Sequence, residues 1–305
     1  MRRFAAVTLT LVMLAGSLAG CGGAKDSAGQ AAQSKAAKQK LTFDVIPTQK
    51  SDKFKEQIDK LGKLLSDDTG YEITMRIPVD YATVVEDMRF GKTDVAFFGP
   101  FTYVVANAQT GAQAFITQNI KGKPFYHSYA LVPKDSPIDK LEDKEFASLK
   151  GKTVALGDPG STSSSQIPQL YMKNAGLDRK KDLTLNFTGA HDAVLKTVAA
   201  KKADIGFVDS AIFEGSLTKN FPDDVAKVKV VWKSMELYQY PWAARKDLDP
   251  AVVKKLQDAF LKIKDADALA PFGADSFVVA DDAKYQAVRD AAKALDINLG
   301  EYKVK

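Results

Sequence analysis

Beyond residue 40 the chain alternates short apolar runs with longer amphipathic stretches, the pattern of an α/β protein. Phe54, Ile58, Leu61, Leu64 and Leu65 fall on one helical face, and Gly70 closes that helix. Val84, Val85 and Met88 do the same ahead of Gly91. The elements recur at a constant offset of 110 residues: 91–98 (GKTDVAFF) aligns with 201–208 (KKADIGFV). The same register lays the strand at 43–46 on 153–156, the strand at 73–75 on 183–185, and the helix at 83–85 on 193–195. Two similar lobes are expected. Val252, Val253, Leu256, Phe260 and Ile263 mark a long helix after Asp249-Pro250, and 284–295 reads as another; neither has a copy in the repeat.

Strand-like segments at 128–132 and 240–244 are expected to cross between the lobes. Two crossings make the first lobe discontinuous, 41–131 plus 243–305, with 132–242 as the second. Lobes joined by two connectors form a hinge, and the cleft between them is the default ligand site.

Ahead of residue 40 the pattern changes. Arg2 and Arg3 precede an apolar core at 5–15, and Leu18-Ala19-Gly20-Cys21 resembles the bacterial lipobox, so 1–20 is expected to be a signal peptide. Cys21 would then be lipidated and carry the membrane anchor. Residues 22–40 hold no large apolar side chain, so a flexible tether from Cys21 to residue 40 is expected.

Composition narrows the chemistry. Hydrophobic residues make up 45% and charged residues 27%, as in an ordinary soluble domain. One cysteine rules out an intrachain disulfide, and two histidines argue against a multi-histidine metal site. The excess of 43 Lys and Arg over 38 Asp and Glu is too small to point to nucleic acid. No cofactor or metal is expected.

The strongest local signal is Gly157-Asp158-Pro159-Gly160-Ser161-Thr162-Ser163-Ser164-Ser165, directly after a strand and leading into a helix that begins near Gln166. Unpaired N–H groups in a first helical turn, with hydroxyls beside them, make an anion site. A simple N-cap needs only one hydroxyl, and five stand here. The repeat places Tyr81 opposite His191, Ser51 opposite Ser161 and Gly99 opposite Asp209, all in loops that face the cleft if the lobes face each other. Tyr126 and Tyr240 lie where hinge strands would flank a ligand, and Phe98-Gly99-Pro100 could bring backbone close to it. A hydrolase with Ser161 as nucleophile, His191 as base and Asp158 or Asp192 as orienter is the competing reading. The Gly-x-Ser-x-Gly elbow is absent, as are the Walker A and dinucleotide glycine loops.

Pro78-Val79-Asp80-Tyr81, Phe97-Phe98-Gly99-Pro100, Asp158-Pro159-Gly160-Ser161-Thr162-Ser163 and Thr188-Gly189-Ala190-His191-Asp192 resemble the phosphonate/phosphite/phosphate-binding proteins of ABC importers. The resemblance implies a two-lobed periplasmic-binding-protein-like α/β fold of type II with two hinge crossings. It implies a monomeric binder in the cell envelope that closes on a small phosphorus oxyanion and delivers it to a permease and ATPase complex. Ser161, Thr162 and Ser163 would donate to the oxyanion, with His191 and Tyr81 donating from the two lobes and Tyr126 ahead of the first hinge strand. Two positions depart from the family pattern: Ser164 stands where glycine is common, and Tyr240 where many members carry an acid. A tyrosine can donate where a carboxylate accepts, which favours phosphite, phosphate or methylphosphonate over an aminoalkyl phosphonate. A same-fold binder of sulfate, a sulfonate or an organic acid, and a sensory subunit, remain open alternatives.

Overall fold

The computed structural model describes residues 38–304. The expected leader, Cys21 and all but the last three residues of the expected tether lie outside the described residues. Among the described residues no helix is long and apolar enough to cross a membrane.

Among the described residues thirteen strands form two large sheets and a small ribbon. The first sheet has β1 (Lys40–Val45), β2 (Glu72–Arg76), β3 (Val95–Phe97), β4 (Gln113–Asn119), β12 (Pro241–Ala244) and β13 (Ser276–Val279), in the order β13-β4-β12-β3-β1-β2. The second has β6 (Ser128–Pro133), β7 (Thr153–Leu156), β8 (Thr184–Phe187), β9 (Ile205–Asp209) and β10 (Val228–Lys233), in the order β10-β6-β9-β7-β8. In each sheet the three repeated strands are parallel, and the strand arriving from the other sheet, β12 or β6, is added antiparallel.

The helices keep the repeat register. α1 (Asp52–Thr69) and α2 (Tyr81–Arg89) precede α3 (Pro100–Thr110) in the first half; α4 (Ile167–Asn174) and α5 (His191–Ala199) follow in the second. Ser51 caps α1 and Ser161 caps the turn before α4; α2 and α5 begin at Tyr81 and His191, again 110 apart. Phe54, Ile58, Leu61 and Leu65 are buried beneath α1, while Gly70 ends it at φ +74°. The later helix Pro250–Lys262 starts on an Asp249 cap and buries Val252, Leu256 and Phe260.

The crossings differ in detail from expectation. Segments 128–132 and 241–244 belong to β6 and β12, inside the sheets, with Tyr240 just ahead of β12. The passage is made just upstream of each, where β5 (Phe125–Tyr126) pairs antiparallel with β11 (Leu237–Tyr238) as a separate ribbon. Both runs are apolar and extended, so periodicity alone does not separate a ribbon from the sheet strand that continues it. Tyr126 and Tyr240 thus sit at the two places where the chain changes sheet.

One position breaks the likeness of the halves. Ala96 of β3 is matched by Gly206 of β9, where a Cβ would lie 2.6 Å from Val198 Cγ2 and 2.7 Å from Val194 Cγ1. Helix α5 therefore packs closer to its sheet than a side chain would allow. Gly206→Ala is expected to cost about 1–3 kcal/mol through overpacking, read as a lowered urea midpoint at unchanged m-value.

Candidate anion-binding site

The loops that follow the parallel strands of both sheets meet, and the serine-rich turn lies among them. Ser161 Oγ accepts from Ser164 N at 3.3 Å as an N-cap. The next turn, Thr162–Gln166, is π-helical, with Gln166 N donating to Ser161 O at 3.0 Å and Ile167 N to Thr162 O. The helix thus begins at Thr162, earlier than expected, and becomes α-helical at Ile167. Pro168 supplies the reason. It has no N–H, and its ring excludes an ordinary bond to the carbonyl four residues back. The freed Ser164 carbonyl accepts from Gly157 N at 3.2 Å, and the Ser163 carbonyl accepts from Ser128 Oγ.

The five hydroxyls have different fates. Ser161 caps, Thr162 Oγ1 accepts from Phe101 N of α3 at 2.8 Å, and Ser165 Oγ accepts from Gln169 Nε2 at 2.9 Å. Ser163 and Ser164 hydroxyls are buried with no protein partner. Ser164 packs over Gly157, where a Cβ would lie 2.2 Å from its Oγ, so its side chain occupies space that only glycine leaves open.

Two reciprocal bonds close the halves on each other. Tyr81 N, first in α2, donates to Asp158 Oδ2 at 3.3 Å. His191 N, first in α5, donates to Thr48 O at 3.1 Å. Positions 48 and 158, like 81 and 191, are 110 apart, so the two bonds occupy matching places in the repeat, one ending on a side-chain carboxylate and the other on a backbone carbonyl. Lys50 Nζ adds a bond to Thr188 O at 3.4 Å.

His191 is fully buried, and its Nδ1 accepts from Asp209 N at 3.2 Å. That bond assigns the proton to Nε2, which is buried without a protein partner and therefore available as a donor. Burial pulls the imidazole down to about 3, so it is neutral near pH 7. Tyr126 and Tyr240 hydroxyls are also buried and make no protein bond of normal geometry, though each lies close to Ser163 and to the other. Tyr240 stacks on Phe97 at 5.5 Å, and Tyr126 tilts against Tyr240 at 5.3 Å. Tyr81 lies beside Ser161, and burial pushes all three phenols well above their usual value, which keeps them protonated. Every one of the seven expected residues is thus buried in one neighbourhood, and the unspent groups among these seven can all donate. That suits an oxyanion.

Four further residues belong to this neighbourhood. Asp158 accepts from the first N–H of α2, whose own cap is Asp80, and burial raises its carboxyl to about 6. Asp209 is fully buried beside Tyr240, raised to about 7 by burial while Ile212 N and Ala211 N hold it back. Thr48 Oγ1 and Gln118 Oε1 are buried without partners. The repeat flagged position 209 only as the partner of Gly99; Thr48 and Gln118 carry no local motif. Gly99 itself is not forced by close approach, since a Cβ there would meet its neighbours at an ordinary 3.7 Å. It serves as the N-cap of α3.

The hydrolase reading fails on the base. A neutral imidazole near 3 is a weak base, and a backbone N–H occupies the nitrogen that an orienting carboxylate would need. Among the described residues no group of three or more His, Cys, Asp or Glu is placed to hold a metal ion.

Two sheets joined by a double crossing, with buried donors where the strand ends meet, define a two-lobed binding protein of the type II periplasmic class. The family model for the periplasmic substrate-binding protein of ABC phosphonate transporters matches residues 43–285, and the chain belongs to that family. It is therefore a transport binding component and not an enzyme. It is 33% identical over 231 residues to the phosphate-import protein PhnD of Mycolicibacterium smegmatis, covering 72% of this chain and 70% of that protein. A binding component of an ABC phosphonate transporter from Pseudomonas aeruginosa superposes with a TM-score of 0.75 at 28% identity, over 83% of this chain and 85% of that one. Prochlorococcus marinus PhnD1, solved with methylphosphonate, gives 0.77 at 23% identity over 85% and 98%.

The imidazole assignment has a direct check. Nitrogen-detected NMR should find His191 neutral, with the proton on Nε2, from about pH 8 down to about pH 5. Because its folded value is depressed, the stability that neutral His191 contributes is complete above about pH 6.5 and is lost as pH falls toward about 3. A titration of this ring near its ordinary value of 6.5 would contradict the assignment.

Proposed function

We propose that this protein captures a small phosphorus oxyanion, such as phosphite, phosphate or methylphosphonate, between its lobes and hands it to an ABC permease. The observation that carries the reading is the set of buried donors without protein partners: His191 Nε2, Ser163 Oγ, Ser164 Oγ, Tyr126 OH and Tyr240 OH. An unpaired buried polar group costs about 1–3 kcal/mol, and a hydrogen bond to a charged group contributes about 1.5–3 kcal/mol. An oxyanion enclosed by these groups reverses several such costs at once. The phosphate imported by the Mycolicibacterium smegmatis relative and the methylphosphonate bound to Prochlorococcus marinus PhnD1 agree with this chemistry.

Ser161 and Thr162 take part through the turn they build, with their own O–H protons still free to donate. Tyr81 closes from the first lobe. The open form would expose both loop sets, and the ligand's extra contacts in the closed form supply the population shift. Lobe limits of 41–131 plus 243–305 and of 132–242, a monomeric state, and anchoring through lipidated Cys21 complete the reading. A cell fractionation of Cys21→Ser checks the anchor: the variant should leave the membrane fraction, and retention there would contradict it.

Calorimetric titration with phosphite, phosphate, methylphosphonate and 2-aminoethylphosphonate tests the ligand class. Tight binding of the aminoalkyl compound with no response to the three small anions would reverse the ranking. His191→Ala and Ser163→Ala should each weaken the preferred anion by about tenfold to about a hundredfold, with unfolding still cooperative. Wild-type affinity in both variants would remove these residues from the site.

A further inference from the structure

The segment 295–304 follows the helix Gln286–Ala294, has no counterpart in the repeat, and touches both halves of the molecule. Its ties to the first half are to α3. Gln109 Nε2 donates to Leu299 O at 3.0 Å and to Tyr302 O at 2.8 Å, and the Tyr302 ring meets Phe101 edge-on at 5.3 Å. The preceding helix is held to α3 as well, through Arg289 Nη2 donating to Asn107 Oδ1 at 3.2 Å. From the second half, Lys173 of α4 donates to Ala294 O at 2.7 Å and pairs with Asp296 Oδ2 at 2.5 Å.

The segment bears on the serine turn. Val304 packs on Gly160, where a Cβ would lie 2.7 Å from Val304 Cγ1 and 2.9 Å from Thr102 Cγ2 of α3. The φ of Gly160 is not positive, so close approach rather than backbone conformation calls for glycine there. The groups beside this contact are all engaged. Gly160 N donates to Asp158 Oδ1 at 2.7 Å, while the other oxygen of that carboxylate accepts from Tyr81 N. Pro159 O accepts from Gln166 Nε2 at 2.7 Å, and the Tyr302 hydroxyl lies beside the Gln166 side chain. Gln166 N in turn donates to Ser161 O. Short chains of bonds thus lead from Val304 and Tyr302 to the Tyr81–Asp158 contact and to the Ser161 cap.

We propose that segment 295–304 is a strap that braces the serine turn in the closed protein alone and thereby slows release of the bound anion. The inference rests on the hinge-closing anion reading above and names the segment that sets how long closure lasts. Opening separates α3 from the serine turn and breaks the bond from Phe101 N to Thr162 Oγ1. Val304 and Tyr302, tied to α3, leave Gly160 and Gln166 in the same movement. Contacts made only in the closed form deepen that state without touching the ligand, and their loss shows in dissociation more than in association. The Lys173–Asp296 pair is exposed and contributes little. The packing of Tyr302 and Val304 carries the effect.

The test compares wild type with the double variant Tyr302→Ala/Val304→Ala and with Gln109→Ala, none of which alters a residue of the anion site. Methylphosphonate binding and release are followed by stopped-flow intrinsic fluorescence. Dissociation from the double variant should be about tenfold faster, with association within about twofold of wild type. Gln109→Ala should move dissociation the same way by a smaller factor. Thermal unfolding of the ligand-free protein should stay close to wild type, since the strap is off the turn in the open form; a purely structural role would lower it. Amide hydrogen exchange in 295–304 should slow when methylphosphonate binds wild type. Wild-type dissociation rates in both variants would overturn the strap, as would exchange in 295–304 that the ligand leaves unchanged. Failure of wild type to bind phosphite, phosphate and methylphosphonate would remove the anion reading, and the strap's part in release with it.

Discussion

The structure depends on a reciprocal pair of contacts at matching places in the repeat. The first N–H of α2 reaches across to Asp158, and the first N–H of α5 reaches across to Thr48. Each bond satisfies a helix-terminal donor that has no intrahelical partner, using an acceptor from the opposite half. Because the two contacts are related by the internal repeat, both sets of strand-end loops meet in register. Tyr81 and His191 follow directly, since each is the first residue of its helix. The side chains that end up between the lobes are then fixed by chain geometry before any ligand chemistry is considered.

Within that frame, Pro168 and Gly157 shape the serine turn. The proline forces a π-helical first turn, and the glycine accepts the Ser164 side chain over its bare Cα while its N–H takes the freed carbonyl. Backbone demands are thus met inside the turn, which leaves Ser163 and Ser164 hydroxyls unspent. The tyrosine at 240, where the family pattern often has an acid, does not leave the neighbourhood without a carboxylate. Asp209 provides one beside it, held by two backbone N–H groups.

Much of this was legible in the sequence because it repeats. An ungapped offset of 110 fixed the paired helices, the paired caps Ser51 and Ser161, and the pairing of Tyr81 with His191. The hydroxyl run and the resemblance to the binding-protein family marked the remaining donors. What stayed hidden depends on contacts between distant segments. Thr48 matters through a carbonyl, which no side-chain motif reports. Gln118 matters because Gln239, 121 positions away, turns its amide. The ribbon of β5 and β11 was hidden for a different reason: a two-residue extended pair looks the same as the beginning of the sheet strand that follows it.

The central claim is that unspent donors of both lobes converge on one small oxyanion. A crystal structure of the protein with methylphosphonate tests it most directly. The account predicts phosphonate oxygens within about 2.6–3.2 Å of His191 Nε2, Ser163 Oγ and the Tyr126 or Tyr240 hydroxyl, with the reciprocal Tyr81–Asp158 and His191–Thr48 bonds in place. An anion bound elsewhere, or bound to one lobe while these donors pair within the protein, would contradict it.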